Sequence, residues 1–216
     1  MSLALPPLDR RRRLFGIVFI GAFIAILYQM PLQIHLFEPH WLQATAIDRA
    51  IPLTQWTIWF YCSYYIFLFV PFVVCRDDAR VARVMYMLMA AAIIACVIFL
   101  LWPTRAESQK VPYDGLTGLL WNFVQAVDRP GNYFPSLHVA NACIVARALV
   151  REGRVWRWLA PIWAFAIIVS TVTTKQHFFI DVPAGIALGW FCVKLVRKTV
   201  VIDSRRWPLF YRQEQE

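Results

Sequence analysis

Two short stretches of this chain carry residue types that could do chemistry at the edge of an apolar segment. "KQHFFIDVPAG" holds His177 and Asp181 four residues apart, and "NYFPSLHVANA" places Ser136 and His138 where another apolar run begins. On a helix, the His177-x3-Asp181 spacing puts both side chains on one face, about 6 Å apart along the axis. A carboxylate that accepts from one ring N–H fixes the imidazole tautomer. It leaves the other nitrogen unprotonated, the state a nucleophile or a base requires. Ser136 is a natural cap for the helix that carries His138. Helix starts at Ser136 and near Lys175 would offer free N–H groups and a positive dipole end to an anion. With Arg129 and Lys175 beside these starts, the expected ligand is a phosphate. Spacing alone does not say which histidine attacks. His138, His177 and Asp181 are also metal-ligand types, but no HExxH-like pattern accompanies them, so neither a metal nor another cofactor is expected.

The elements that must position these groups are apolar. Of 216 residues, 60% are hydrophobic and only 16% charged, with 16 Phe, 10 Trp and a mean hydropathy of +0.53, the composition of a membrane protein. Apolar runs at about 14–30, 53–75, 84–102, 137–150, 158–174 and 178–196 predict an all-α, polytopic fold. It comprises six transmembrane helices forming one domain over 1–216. The fourth run is short for a span and is expected to borrow residues at either end, with Arg147 and Arg151 snorkelling. The first run follows Arg10 to Arg13 but no small-x-small cleavage site follows it, so it reads as an uncleaved anchor. The five cysteines, Cys62, Cys75, Cys96, Cys143 and Cys192, lack paired spacing and read as small core residues.

Alternating spans sort 17 of the 22 Lys and Arg to one side and 5 to the other. This predicts a multi-pass protein of the cell membrane with cytoplasmic termini, and with 31–52, 103–136 and 175–177 facing outward. Because the basic residues flank apolar runs, the net charge of +9 reads as topological and no nucleic-acid partner is expected. Arg129, His138, Lys175, His177 and Asp181 then share the outward level, so one extracytoplasmic site is expected. His35 and His40, near Glu38, read as solvated loop residues. Asn122 reads as a satisfied polar residue on an amphipathic stretch, 115–127, and "SRRWPLFYRQ" as an interfacial tail with Trp207, Phe210 and Tyr211 at headgroup depth.

"RPGNYFPSLH" followed by "STVTTKQHFFID" resembles the type 2 phosphatidic acid phosphatase superfamily, whose motifs run Lys-x6-Arg-Pro, Pro-Ser-x-His and Ser-Arg-x5-His-x3-Asp. The first is matched at Arg129 and Pro130, the second at Pro135, Ser136 and His138, and the third at Ser170, His177 and Asp181. Asn122 and Thr171 replace the lysine of the first motif and the arginine of the third. Leu137 and "TKQHFFIDVPAG" are more like the branch containing inositol phosphorylceramide synthases and related bacterial membrane proteins. The resemblance, carried by about 120–190, implies that His177 forms a phosphohistidine, that Asp181 orients it, and that His138 protonates the leaving alcohol. Arg129, Ser136 and Lys175 are the phosphate-binding candidates. The implied activity is metal-independent hydrolysis of a lipid phosphate. The alternatives are transfer of a headgroup phosphate from a phospholipid to another lipid alcohol, or a non-catalytic membrane protein that only binds lipid phosphate. The substrate is a lipid phosphate or phospholipid, and no obligatory protein partner is inferred.

Overall fold

The computed structural model describes residues 3–34, 36–106, 114–128 and 131–203. Within them the chain is mainly helical. A short strand β1 (Leu3–Leu5) leads into α1 (Arg13–Gln33); β2 (His40–Trp41) and α2 (Ala46–Ala50) follow, then α3 (Ile58–Phe67), α4 (Val70–Val74) and α5 (Asp78–Leu101). Strand β3 (Thr104–Arg105) precedes α6 (Gly115–Val127), α7 (Leu137–Leu149), α8 (Arg154–Thr173), α9 (Asp181–Thr199) and β4 (Val200–Ile202).

Among the described residues, three helical stretches, Arg10–Gln33, Asp78–Leu101 and Arg154–Thr173, are long and apolar enough to cross a membrane. The run expected at 53–75 is interrupted between α3 and α4. Pro71 has no N–H to return to the carbonyl of Phe67 and its ring crowds that carbonyl, so the helix restarts rather than continues. The expected extension of the fourth run does not occur. Ser136 caps α7 at one end and the chain turns at Val150, leaving 13 residues. A helix this short is stable because eleven of those residues are buried, packed among α5, α8 and α9, so protein rather than lipid surrounds it.

Contacts outside the helices sort the chain into two ends. At one, rich in arginine, β1 pairs in parallel with β4, and the Arg13 guanidinium donates to the carbonyls of Phe72 and Cys75 and to Asp78, at 3.1, 2.7 and 2.6 Å. Arg80 pairs with Glu152 at the same end. At the other, β2 pairs in parallel with β3, Tyr133 N–H donates to Thr104 Oγ1, and Thr54 N–H donates to the carbonyl of Thr173.

The backbones of α7 and α9 approach closely. A Cβ at Gly185 would lie 2.6 Å from the Ser136 carbonyl oxygen, and one at Gly189 would lie 2.7 Å from that of Ala140. Asp181, Gly185 and Gly189 fall at intervals of four, one stripe along α9, so the two glycines let the backbones approach while Asp181 tops the stripe.

Candidate active site

Asp181 is the first residue of α9, and His177 lies in the preceding turn rather than on the helix with it. This corrects the expectation of two side chains spaced along one helix face. The turn closes on itself: the Asp181 carboxylate accepts from Phe178 N–H at 2.8 Å, His177 N–H donates to the Thr171 carbonyl at 3.0 Å, and Asp181 N–H donates to the Phe178 carbonyl at 3.0 Å. Ser136 N–H donates to the Asp181 carbonyl at 3.3 Å, which joins the start of α7 to the start of α9.

His177 Nδ1 lies 3.3 Å from Asp181 Oδ2 and 3.1 Å from the Tyr133 carbonyl oxygen. Both neighbours are acceptors, so Nδ1 carries the proton and Nε2 is left with a free lone pair. Asp181 is fully buried and His177 is 8% exposed. The His138 and His177 rings meet edge to face with centroids 5.9 Å apart. His138 is packed between the rings of Tyr61 and Tyr64, at 4.7 and 4.2 Å, and its Nε2 is buried without a hydrogen bond, 3.7 Å from Asp128 Oδ2. Tyr133 packs edge-on against His177. Burial, with the Asp181 and Asp128 carboxylates, pushes its hydroxyl up to about 12, so that group remains a proton donor at neutral pH.

A cavity of about 780 Å³ opens onto His177, bounded by Lys175, Phe178, Val172 and the segment 41–53. That segment is tied down by Asp48. The Asp48 carboxylate accepts from Phe179 N–H at 2.7 Å, from the Thr45 hydroxyl at 2.6 Å and from Thr45 N–H at 2.9 Å. Burial opposes its ionisation, but these hydrogen bonds and the charge of Lys175 prevail and hold the carboxyl below its ordinary value. Lys175 adopts a left-handed φ of 58° just past the end of α8, a position that favours glycine. Its ammonium donates to the carbonyls of Asp48 (2.7 Å) and Ile51, which explains a lysine there: the side chain anchors the opposite wall.

The structure therefore brings His177, Asp181 and His138 together. Ser136 sits beside them, fully buried, with its Oγ accepting from Val139 N–H as the cap of α7. Lys175 lines the cavity but points its charge at the wall. Arg129 lies outside the described residues, as do Pro130, His35, Trp207, Phe210 and Tyr211. Ser170 and Thr171 are buried, their hydroxyls bonded back to the carbonyls of Ile167 and Ile168 on their own helix. Asn122 is exposed on α6. Sequence reasoning missed Asp128, which accepts hydrogen bonds from Tyr61 (2.7 Å) and Tyr65 (3.3 Å) while facing His138. The available signal was the Tyr61-x3-Tyr65 pair, two hydroxyls on one face of an apolar run that need an acceptor when buried.

The described residues thus form a mainly helical array that fits a membrane protein and holds a histidine oriented by a buried carboxylate near a second histidine. The chain belongs to the PAP2 superfamily, whose family model matches residues 25–195. No match was found among curated proteins. Membership suggests phosphoryl-transfer or phosphatase activity on lipid phosphates, and with the apolar helices it fits a membrane protein.

Proposed function

We propose that this chain is a six-span enzyme of the cell membrane that hydrolyses a lipid phosphate through a phosphohistidine. The observation that carries the proposal is the acceptor pair around His177 Nδ1, which leaves Nε2 as the unprotonated nitrogen beside a second histidine. His177 Nε2 attacks phosphorus, the bond from phosphorus to the lipid oxygen breaks, and His138 delivers a proton to that oxygen. Water then attacks the phosphohistidine, passing a proton to His138 as the P–N bond breaks and phosphate leaves. Asp181 stabilises the positive charge that develops on the His177 ring. Arg129 and the N-terminus of α7 at Ser136 hold the phosphate oxygens, and Lys175 shapes the cavity wall beside them. The termini are cytoplasmic and the site is extracytoplasmic, a placement supported by the distribution of Lys and Arg. The chemistry needs no metal.

A second reading is favoured by Thr171. At the arginine position of the third motif, this chain has a fully buried hydroxyl turned back into its own helix, which adds no cation for a doubly charged monoester. A singly charged phosphodiester needs less compensation, as does a transferase that passes the phosphoryl group, with its headgroup, to a lipid alcohol. Purified protein assayed on lipid phosphomonoesters and phosphodiesters in chelator separates the readings. Phosphate release marks the phosphatase and a new lipid phosphodiester marks the transferase. Acid-labile radiolabel retained by wild-type protein and absent from His177→Ala supports the intermediate; label on His138 instead reverses the roles. Binding without turnover on any substrate overturns both.

A further inference from the structure

At the end of the bundle opposite the candidate active site, α5, α7 and α9 leave a cavity of about 660 Å³ between them. Arg80 and Arg83 from α5, Arg147 from α7, Arg151 just beyond it and Arg197 from α9 surround this space. The acids nearby, Asp77 and Glu152, are both paired with Arg80. Arg83, Arg147, Arg151 and Arg197 have no acidic partner among the described residues. Beneath them lies an apolar floor of Val84, Met87, Ile144 and Val193, all buried.

A topological role asks only that basic residues remain on one side of the membrane, and exposed Arg154 and Arg157 meet that need without converging on anything. Here four uncompensated guanidinium groups, from segments up to 114 positions apart in sequence, meet at one cavity. Like charges gathered this way repel one another unless a counter-anion joins them. Guanidinium groups suit an oxyanion that presents several acceptor oxygens, because each can bond in a bidentate fork. The chemistry shared by the possible ligands is therefore a phosphate. Val201, which lines the same cavity and is 49% exposed, with half-buried Val200 beside it, distinguishes a lipid from a soluble anion, since only a lipid brings hydrocarbon to cover them.

We propose that this cavity binds the phosphate of an anionic phospholipid at the membrane face opposite the active site. The proposal rests on the membrane placement of the chain and not on its catalytic chemistry. The test is native mass spectrometry of the delipidated full-length protein titrated with phosphatidylglycerol or phosphatidylcholine. The triple variant Arg83→Gln/Arg147→Gln/Arg197→Gln is compared with Arg154→Gln/Arg157→Gln/Lys198→Gln, which removes as many charges from the same end but away from the cavity. Phosphatidylglycerol is expected to bind the wild type in preference to phosphatidylcholine and to weaken about fivefold for each cavity arginine removed, roughly 100-fold for the triple, with little change in the control. Equal losses in the two triples, or equal binding of the two lipids, would overturn the site. Glycerol 3-phosphate is the arm for the soluble source: if it binds alone as tightly as phosphatidylglycerol, the lipid assignment fails. Should the triple not fold, the single variant Arg147→Gln is titrated, and an unchanged affinity counts against the proposal.

Discussion

Replacing Gly185 by alanine should damage turnover more than it damages the fold. The added Cβ would stand 2.6 Å from the Ser136 carbonyl oxygen and 2.8 Å from Val139 Cβ, whereas ordinary contact begins at 3.4 Å. The obstacle is backbone, which no rotamer change can relieve, so α9 must withdraw from α7 by about 0.8 Å, the difference between those distances. Overpacking of this kind costs about 1–3 kcal/mol. The better helix propensity of alanine returns about 1 kcal/mol, leaving a modest loss of stability. Asp181 lies one turn away on the same stripe, and the hydrogen bond from Ser136 N–H to its carbonyl, which ties the His177 turn to α7 and to His138, is already 3.3 Å long. A withdrawal of that size takes it to about 4 Å, outside hydrogen-bonding range. Misplacement of a catalytic group by about 1 Å can cost about 10²-fold in rate. Gly189→Ala is the comparison, because it meets the Ala140 carbonyl oxygen at 2.7 Å but lies one turn further from Asp181. The assay pairs phosphate release from a lipid phosphate in micelles with thermal unfolding of the same samples. Gly185→Ala should lose about 10²-fold in turnover and Gly189→Ala markedly less, at similar unfolding temperatures. Turnover of Gly185→Ala within threefold of wild type, or equal losses in the two variants, would refute the link between the α7–α9 contact and the geometry of His177.

His177→Ala and His138→Ala should fold and lose at least about 10²–10⁴-fold in turnover, with Asp181→Asn impaired but measurable; near-native turnover in His177→Ala ends the covalent mechanism. Asp128→Asn keeps an acceptor for Tyr61 and Tyr65 but changes the group 3.7 Å from His138 Nε2, so turnover should fall while thermal unfolding changes little, and wild-type turnover would exclude a role for Asp128 at His138. The folded-state carboxyl of Asp48 titrates below its ordinary value of 3.8. Its contribution is therefore complete above that pH and lost as pH falls through the depressed value, seen as loss of exchange protection at Phe179 N–H in the wild type. In Asp48→Asn that pH dependence should vanish. With the native cysteines replaced, Gln43→Cys should react with an impermeant thiol reagent on intact cells and Arg157→Cys should not; the opposite pattern inverts the topology.

What the sequence could reveal depended on how local the cause was. Apolar runs located the long helices, although α5 begins six residues before its run at Asp78, because burial in lipid or protein is written along the run itself while a charged first turn is not. The break at Pro71 was also local, though the continuous run 53–75 concealed it. The amphipathic stretch 115–127 is α6, whose buried Trp121 and Val124 pack against Ile58 and Tyr61. The partnership of His177 and Asp181 was legible in their spacing, yet its geometry was not, since a turn bonded to the Asp181 carboxylate precedes the helix. Asp128 and Lys175 acquire their roles from distant partners: Asp128 meets tyrosines more than sixty positions earlier, and Lys175 meets carbonyls of a segment over 120 positions away. No periodicity records such meetings. The Gly185-x3-Gly189 stripe was present in the sequence, but it signals close approach only once the helix it faces is known.

The brevity of α7 bears on where the reaction takes place. Thirteen helical residues rise about 20 Å, while the hydrocarbon of a bilayer is about 30 Å thick. In the proposed orientation, with the arginine-rich end at one headgroup layer, His138 at the start of α7 would lie about 10 Å beneath the opposite surface, at the bottom of a well rather than at its rim. A lipid substrate would then have to lower its phosphate into the protein, or the bilayer would have to thin around it, for the proposed attack by His177 to reach phosphorus. Water faces the same descent. Under the proposed chemistry, the competition between hydrolysis and transfer to another lipid alcohol would be set by which acceptor fills the well first, and a narrower or more apolar mouth would turn one activity into the other without changing any group that handles the phosphate.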